Sequence, residues 1–423
     1  MDFALLILVT AILLIRPTDF VPVLASVPLY EVAILSCFAA SWNKVHREFT
    51  AACSGARPIT AYMFGILAFG LIANLANGDA EGGLNFVVDF AKVITYFLLL
   101  TAVVDTPGRL RSFLLSIVLI TLTPASLALL HHHRFIQLPV FEVMMSGDVE
   151  RLIGSGMFAD PNDFCEVLNL GLIFSLFGLL ANRLGFLRIG WIVPIFVFAV
   201  ALQETKSRGG FLGTLAGTSV LILTKYGLRK AILIAAVSLP ALFFVFAGRN
   251  TSIDLKEGTG QSRIQIWADG FALLVHSPIF GIGAEHYTDA VGKATHNAFI
   301  CAYTELGVIG GSFFFGACCY SLTTLQRIGS SKTVNRDPAL QRTRPFVFAA
   351  LVSYLVSEMS LTHPYNVLTY MMLGLAASFI RQADPEMRLA NSRLDGRSML
   401  RMLTASACFL VGLFFFVQLS VRF

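Results

Sequence analysis

Two arginines and a histidine stand out by type and by neighbours. Arg208 follows Lys206 and Ser207 and precedes Gly209 and Gly210, at the start of an apolar run. Backbone N–H groups at a helix N-terminus attract anions, and a planar guanidinium grips phosphate through paired hydrogen bonds. Glycine lets an oxyanion approach the backbone closely. The same position also suits an arginine that snorkels to lipid headgroups. Arg263 stands beside an apolar stripe of Ile264, Trp267, Phe271 and Leu274, at spacings of three and four, so it marks the start of an amphipathic surface helix. A second phosphate clamp and a solvated helix-end charge both fit it. His296 and Asn297 lie where a long polar segment enters the next apolar run. An imidazole there is either a general base or a boundary residue bonded to backbone.

Further polar residues lie close by in sequence. Arg151 precedes Gly154, Gly156 and the run Asp160-Pro161-Asn162-Asp163. Asp-Pro-Asn turns the chain and caps a helix, and Asp160 and Asn162 also offer contacts to a sugar. Glu305, in Tyr303-Thr304-Glu305-Leu306-Gly307, is placed to line the same cavity as His296 and Asn297. Asp89 and Lys92 share one apolar run at i and i+3, as a polar cavity or as a buried pair. His276 and His286 are weaker candidates. His131, His132 and His133 are consecutive, so their side chains do not readily face one ion, and no metal site is expected. The seven cysteines form no CxxC pair and read as small apolar residues. No P-loop, dinucleotide fingerprint, GxSxG elbow or HExxH is present, which argues against nucleotide chemistry.

The elements that must position these residues follow from composition. Of 423 residues, 56% are hydrophobic and 13% charged, and the mean hydropathy is +0.73. Soluble domains carry about 25% charge, so this chain cannot coat a water-facing surface. Disordered, fibrous and repeat architectures are excluded, as is a β-barrel with its short alternating strands. Apolar runs cover 2–15, 22–41, 59–77, 84–104, 110–130, 163–181, 187–203, 208–224, 231–247, 298–325, 346–362, 364–380 and 402–421. Each is close to one bilayer crossing, which predicts an all-α, polytopic membrane bundle of about twelve to thirteen helices. The first run, without a basic n-region or cleavage site, reads as a short span and not as a signal peptide.

The formal net charge is +5. Lysines and arginines cluster in short loops, so they set topology and do not suggest nucleic acid as a partner. With the N-terminus in the cytoplasm, the cytoplasmic loops carry most of them. Examples are Arg183 and Arg188, then Lys225, Arg229 and Lys230, then Arg327, Lys332, Arg336, Arg342 and Arg344, then Arg381, Arg388, Arg393, Arg397 and Arg401. The opposite side carries fewer, among them Arg134, Arg151, Arg208, Arg249, Lys256, Arg263, Lys293 and Arg422. This bias also places two long segments, 131–162 and 248–295, outside the cytoplasm. Residues 1–423 are expected to form one transmembrane domain, with function on those two loops. Gly281-Ile282-Gly283 is expected as a flexible turn between the surface helix and His296.

Several motifs taken together resemble a known family. They are Ser207-Arg208-Gly209-Gly210, the stretch Ser262 to Trp267, the stretch His276 to Gly283, Thr295 to Phe299, and Glu305 to Gly310. Their order and spacing resemble the signature of the bacterial O-antigen ligase and polysaccharide polymerase superfamily. Arg151, Gly154 and Asp160-Pro161-Asn162 are similar to its preceding loop. The resemblance implies a GT-C-like helical bundle and a metal-independent, inverting glycosyltransferase with no cofactor. It implies a multi-pass protein of the bacterial inner membrane whose site faces the periplasm. The donor would be a glycan on undecaprenyl diphosphate, and the acceptor a second glycan or lipid A-core. Other polysaccharide assembly proteins would be partners in the bilayer. Carried over by motif, Arg208 and Arg263 bind the diphosphate and His296 activates the acceptor hydroxyl. Arg151, Asp160, Asn162, Asn297 and Glu305 are candidate substrate contacts. The rival class is a secondary transporter with a solute path lined by Asp89, Lys92 and Glu305.

Overall fold

A computed structural model describes residues 1–141, 144–146, 149–181, 185–245, 258–331, 337–385 and 393–421. Positions 248–257 of the second long loop lie outside the described residues. So do Arg183, Arg249, Lys256, Lys332, Arg336, Arg388 and Arg422 of the charge pattern.

The described chain is helical almost throughout. In a bilayer every backbone N–H and C=O must be satisfied within the protein, and a helix does this locally. Each apolar run read from the sequence overlaps a helix among the described residues. Among the described residues, eight helices are long and apolar enough to cross a membrane, and Asp2–Ile15 and Val367–Ala383 are shorter apolar helices. Many large apolar side chains remain exposed, including Leu35, Leu119, Val193, Phe196 and Leu419. Such a surface suits lipid and not water.

The helix boundaries have local causes. Proline opens the helices Pro58–Ala76, Pro107–His132, Pro161–Ala181 and Pro338–Glu358, at a position whose N–H would have no helical partner. Thr106, Asn297, Asn366 and Asp395 cap the helices that follow them with side-chain oxygens. The run expected over 22–41 begins late, at Leu29, and its helix continues to Cys53 through Lys44 and Arg47. Pro22 and Pro28 hold the preceding stretch out of the helix. The spans expected at 208–224 and 231–247 follow each other in Arg208–Val245, broken only at Gly227, whose φ is 75°.

The chain forms two compact units. The first comprises 1–42, 102–252 and 336–357. Here Pro161–Ala181 packs against Pro107–His132, Ile192–Glu204 and Arg208–Val245. The approach is close because a Cβ on Gly171 would meet the Phe198 ring and one on Gly178 the Trp191 ring. Part of the 131–162 segment is ordered as an antiparallel hairpin, with Met144 opposite Arg151. The second unit comprises 43–101, 253–335 and 358–423. Its axis is Ala298–Ser330, against which Pro58–Ala76, Gly258–His276, Val367–Ala383 and Gly396–Ser420 pack.

Two expectations change. The stripe of Ile264, Phe271 and Leu274 is buried against Ile300, Tyr303 and Val417, with Trp267 packed beside it. Its apolar face is therefore core, because neighbouring helices and not lipid cover it. Asp89 and Lys92 pair at 2.7 Å with most of each side chain exposed, 64% and 57%. They do not form a buried pair.

Candidate functional site

In the first unit, the hairpin and the start of Arg208–Val245 are stitched together around two arginines. Arg151 ends the hairpin and is 8% exposed. Its Nε donates to the Thr205 carbonyl at 2.9 Å, and a terminal nitrogen donates to Asn162 Oδ1 at 3.3 Å. The Ser207 hydroxyl donates to the same Asn162 oxygen at 2.7 Å. That hydroxyl also accepts the Gly210 N–H at 3.1 Å, so Ser207 caps the helix. Arg208 is then the first helical residue, half-buried at the positive end of the helix dipole. Lys206, just before the cap, takes a left-handed φ of 52° that turns the chain into the helix.

Asp160 accepts the Asn162 N–H at 2.7 Å, so the Asp-Pro-Asn turn shapes the loop and holds Asn162 for Arg151 and Ser207. Gly210 serves packing. A Cβ there would come within 2.4 Å of Cys165 Sγ on the neighbouring helix. Asn169 donates to the Gly210 carbonyl at 3.1 Å and fastens the same turn from inside. His132 lies between Glu150 and Glu204, at 3.6 and 3.8 Å, while Lys206 pairs with Glu204 at 3.2 Å.

The second unit holds Arg263 and His296. Arg263 is half-buried in the second turn of Gly258–His276. One turn further, the Trp267 indole donates to the Thr295 carbonyl at 2.7 Å. His296 follows with a left-handed φ of 50°, rare for a residue with a Cβ. Its own N–H donates to the Thr362 hydroxyl at 2.8 Å. Asn297 then caps Ala298–Ser330, accepting the N–H groups of Phe299 and Ile300, each at 3.1 Å. The backbone of His296 is thus fixed from three directions, with the ring half-buried at a helix mouth. Asn297 itself is buried and occupied as a cap.

Glu305 is 3% exposed and accepts the Tyr287 N–H at 3.0 Å. The Tyr287 hydroxyl donates to the Ile266 carbonyl at 2.6 Å. Glu305 therefore secures the segment between Arg263 and His296.

The glycine segment is not flexible. Ala298–Ser330 breaks at Gly307, φ 69° and ψ −179°, which frees backbone groups inside an apolar helix. The segment from Pro278 to Gly283 takes them up. Ile282 donates to Thr304 O at 3.0 Å, Gly283 to Glu305 O at 3.0 Å, and Pro278 O accepts the Val308 N–H at 2.8 Å. The two strands of chain touch so closely that a Cβ on Gly281 would lie 2.3 Å from Glu305 O, and one on Gly307 2.1 Å from Ile279 O. Ser277 and Asn77 both donate to the Gly281 carbonyl, at 2.6 and 3.1 Å. Broken backbone at membrane depth is tolerated only where protein satisfies it in this way.

Sequence reasoning missed Thr362 and Trp267 as supports of His296. Thr362 stood at the end of the run 346–362, and Trp267 read as one of a stripe. Neither spacing signals the contact.

These features define a polytopic helical membrane protein with a fixed histidine at a helix mouth and an arginine at a capped helix start. Residues 193–315 match the family model described as O-antigen ligase. That segment contains Arg208, Arg263, His296 and the paired glycine motifs, so the resemblance seen in the sequence is borne out there. It supports a polysaccharide-related ligase or polymerase role. Among curated proteins, none matches the chain.

Proposed function

We propose that the protein transfers a glycan from undecaprenyl diphosphate to an acceptor hydroxyl, with inversion and without a metal, on the outer face of the inner membrane. The acceptor is a second glycan or lipid A-core, which makes the enzyme a surface-polysaccharide polymerase or an O-antigen ligase. In this reading His296 takes the acceptor proton as the oxygen attacks the anomeric carbon. The bond from that carbon to the diphosphate breaks, and its electron pair leaves with the diphosphate. Arg208 and Arg263 bind that leaving group, and their fixed charges stabilise the growing negative charge.

The observation that carries the reading is the fixed backbone of His296. A general base works only where its reach is set in advance, and Thr295, Thr362 and Asn297 together set it. Incubation of purified protein with an undecaprenyl-diphosphate oligosaccharide and candidate acceptors tests it. Release of undecaprenyl diphosphate that disappears in His296→Ala is the expected result. A ladder of products would mark a polymerase and a single product a ligase. Full release in His296→Ala would remove the histidine from the reaction.

A further inference from the structure

His286 has no part in the reaction above, yet both of its ring nitrogens are engaged. Nδ1 lies 2.8 Å from the Ala284 carbonyl oxygen and Nε2 lies 3.1 Å from Asp79 Oδ2. Asp79 stands in the turn between Pro58–Ala76 and Ala80–Val103, within the second unit. Its other oxygen accepts the Gly82 N–H at 2.9 Å, so it caps the second of these helices. A carbonyl and a carboxylate only accept hydrogen bonds. A ring that meets both must donate from both nitrogens, and imidazole does so only as the cation. The neutral ring has one N–H and loses one of the two contacts. With neither nitrogen left for a substrate, His286 does not serve as a base here.

The pair closes over a strained joint. Glu285 has a left-handed φ of 66°, rare for a residue with a Cβ. Such strain persists where the surrounding contacts hold it. Gly283 fits between Asn74 and the ring, since a Cβ there would lie 2.6 Å from Asn74 Oδ1 and 3.1 Å from His286 Nδ1. The groups beside the imidazole are thus the neutral Asn74 amide from Pro58–Ala76, Asp79 from the turn, and Glu285 from its own segment. Burial pushes the Glu285 carboxyl above its usual value, Asp89 of Ala80–Val103 adds to the rise, and His286 opposes it. Asp89 itself pairs with Lys92. Downstream, the His286 carbonyl accepts the Ala290 N–H at 3.0 Å and opens the short helix Tyr287–Val291. Gly292, with a φ of 74°, ends that helix, and the chain then runs to His296.

We propose that His286 is a positioning residue: as an imidazolium held between Ala284 and Asp79, it latches the segment that leads to His296, and loss of its proton loosens that segment. The proposal rests on the reading of His296 as the base. Its sign is fixed by the charge. The latch is closed while the imidazole is protonated and opens as pH rises through its ionisation. His296 must be neutral to take a proton, so the two histidines limit turnover from opposite sides of the pH profile.

Two readouts on the full-length protein in detergent test it. His286→Gln keeps a neutral donor, and Asp79→Asn keeps a capping oxygen without the charge. Circular dichroism verifies that both variants retain the helical fold. In the lipid-linked donor assay both are expected to lower kcat about tenfold with KM unchanged. Both should also lose the alkaline limb of the wild-type kcat profile and keep its acid limb. Hydrogen exchange over 287–297 needs no turnover. It is expected to be faster in both variants, and in wild type to rise with pH beyond the intrinsic rate. Wild-type exchange in both variants would overturn the latch. Faster exchange with the alkaline limb intact would overturn its link to the reaction. Full turnover in His296→Ala would overturn the base assignment, and exchange alone would then decide the latch.

Discussion

The indole of Trp267 donates a hydrogen bond to the carbonyl of Thr295 at 2.7 Å, one residue before His296. Trp267 stands one helical turn beyond Arg263. One side chain therefore ties the helix that carries a candidate phosphate ligand to the loop that carries the candidate base. The remaining fixings of His296 come from Thr362 and from the Asn297 cap.

Trp267→Phe keeps most of the packing and removes the N–H. It leaves a carbonyl short of a partner, at a cost of about 1 kcal/mol. If His296 is the base, a small displacement of its loop lowers turnover by up to about 10²-fold. Thr362→Val acts on the same loop from the other side. We expect both variants to fold, to keep KM and to lose kcat in a lipid-linked donor assay. Unchanged kcat in both would detach these contacts from the reaction.

His296→Ala removes the base itself. Turnover is expected to fall by about 10²–10⁴-fold while donor binding persists. Single-turnover kinetics separates the two, since a loss confined to binding would argue for a contact role.

Arg208→Lys and Arg263→Lys keep the charge and lose the planar fork. Each is expected to weaken use of the diphosphate donor, seen as a lower kcat/KM. Wild-type kinetics in both would sink the assignment of the diphosphate to these residues.

Gly307→Ala places a methyl group 2.1 Å from the Ile279 carbonyl oxygen, at a φ of 69°. Backbone must move, and the expected loss is roughly 3 kcal/mol or more. Gly292 has a φ of 74° with open space around it, so Gly292→Ala should cost only about 1–2 kcal/mol. Thermal melting in detergent compares them, and equal losses would show that the close approach at Gly307 contributes nothing.

Asp395 caps Gly396–Ser420 in a reciprocal box with Ser398. Hydrogen bonds from Ser398 hold its carboxyl below the usual carboxylate value. A depressed carboxyl stabilises the fold above its unfolded pKa, and the contribution fades as pH falls through the folded value. The acid limb of a melting-temperature profile should therefore flatten in Asp395→Asn. An unchanged limb would mean that the cap carries no pH-dependent stability.

Apolar run length made the helical membrane class legible from the sequence, because a bilayer leaves the backbone few other ways to satisfy itself. The motifs around Arg208, Arg263 and His296 were legible as well, as was the helix start at Asp160-Pro161-Asn162, where type and position act locally. Other features were decided only by tertiary structure. The stripe at Ile264, Phe271 and Leu274 has one period whether it meets lipid or protein, and only the packed neighbours made it core. Asp89 and Lys92 have one spacing whether buried or exposed. Gly281 read as part of a flexible turn and Gly307 only as part of a motif, yet each is glycine because the other's segment runs against it. Thr362 gave no signal at all. Local pattern fixes which groups a segment must bury or bond, but the identity of the partner comes from chain that is distant in sequence.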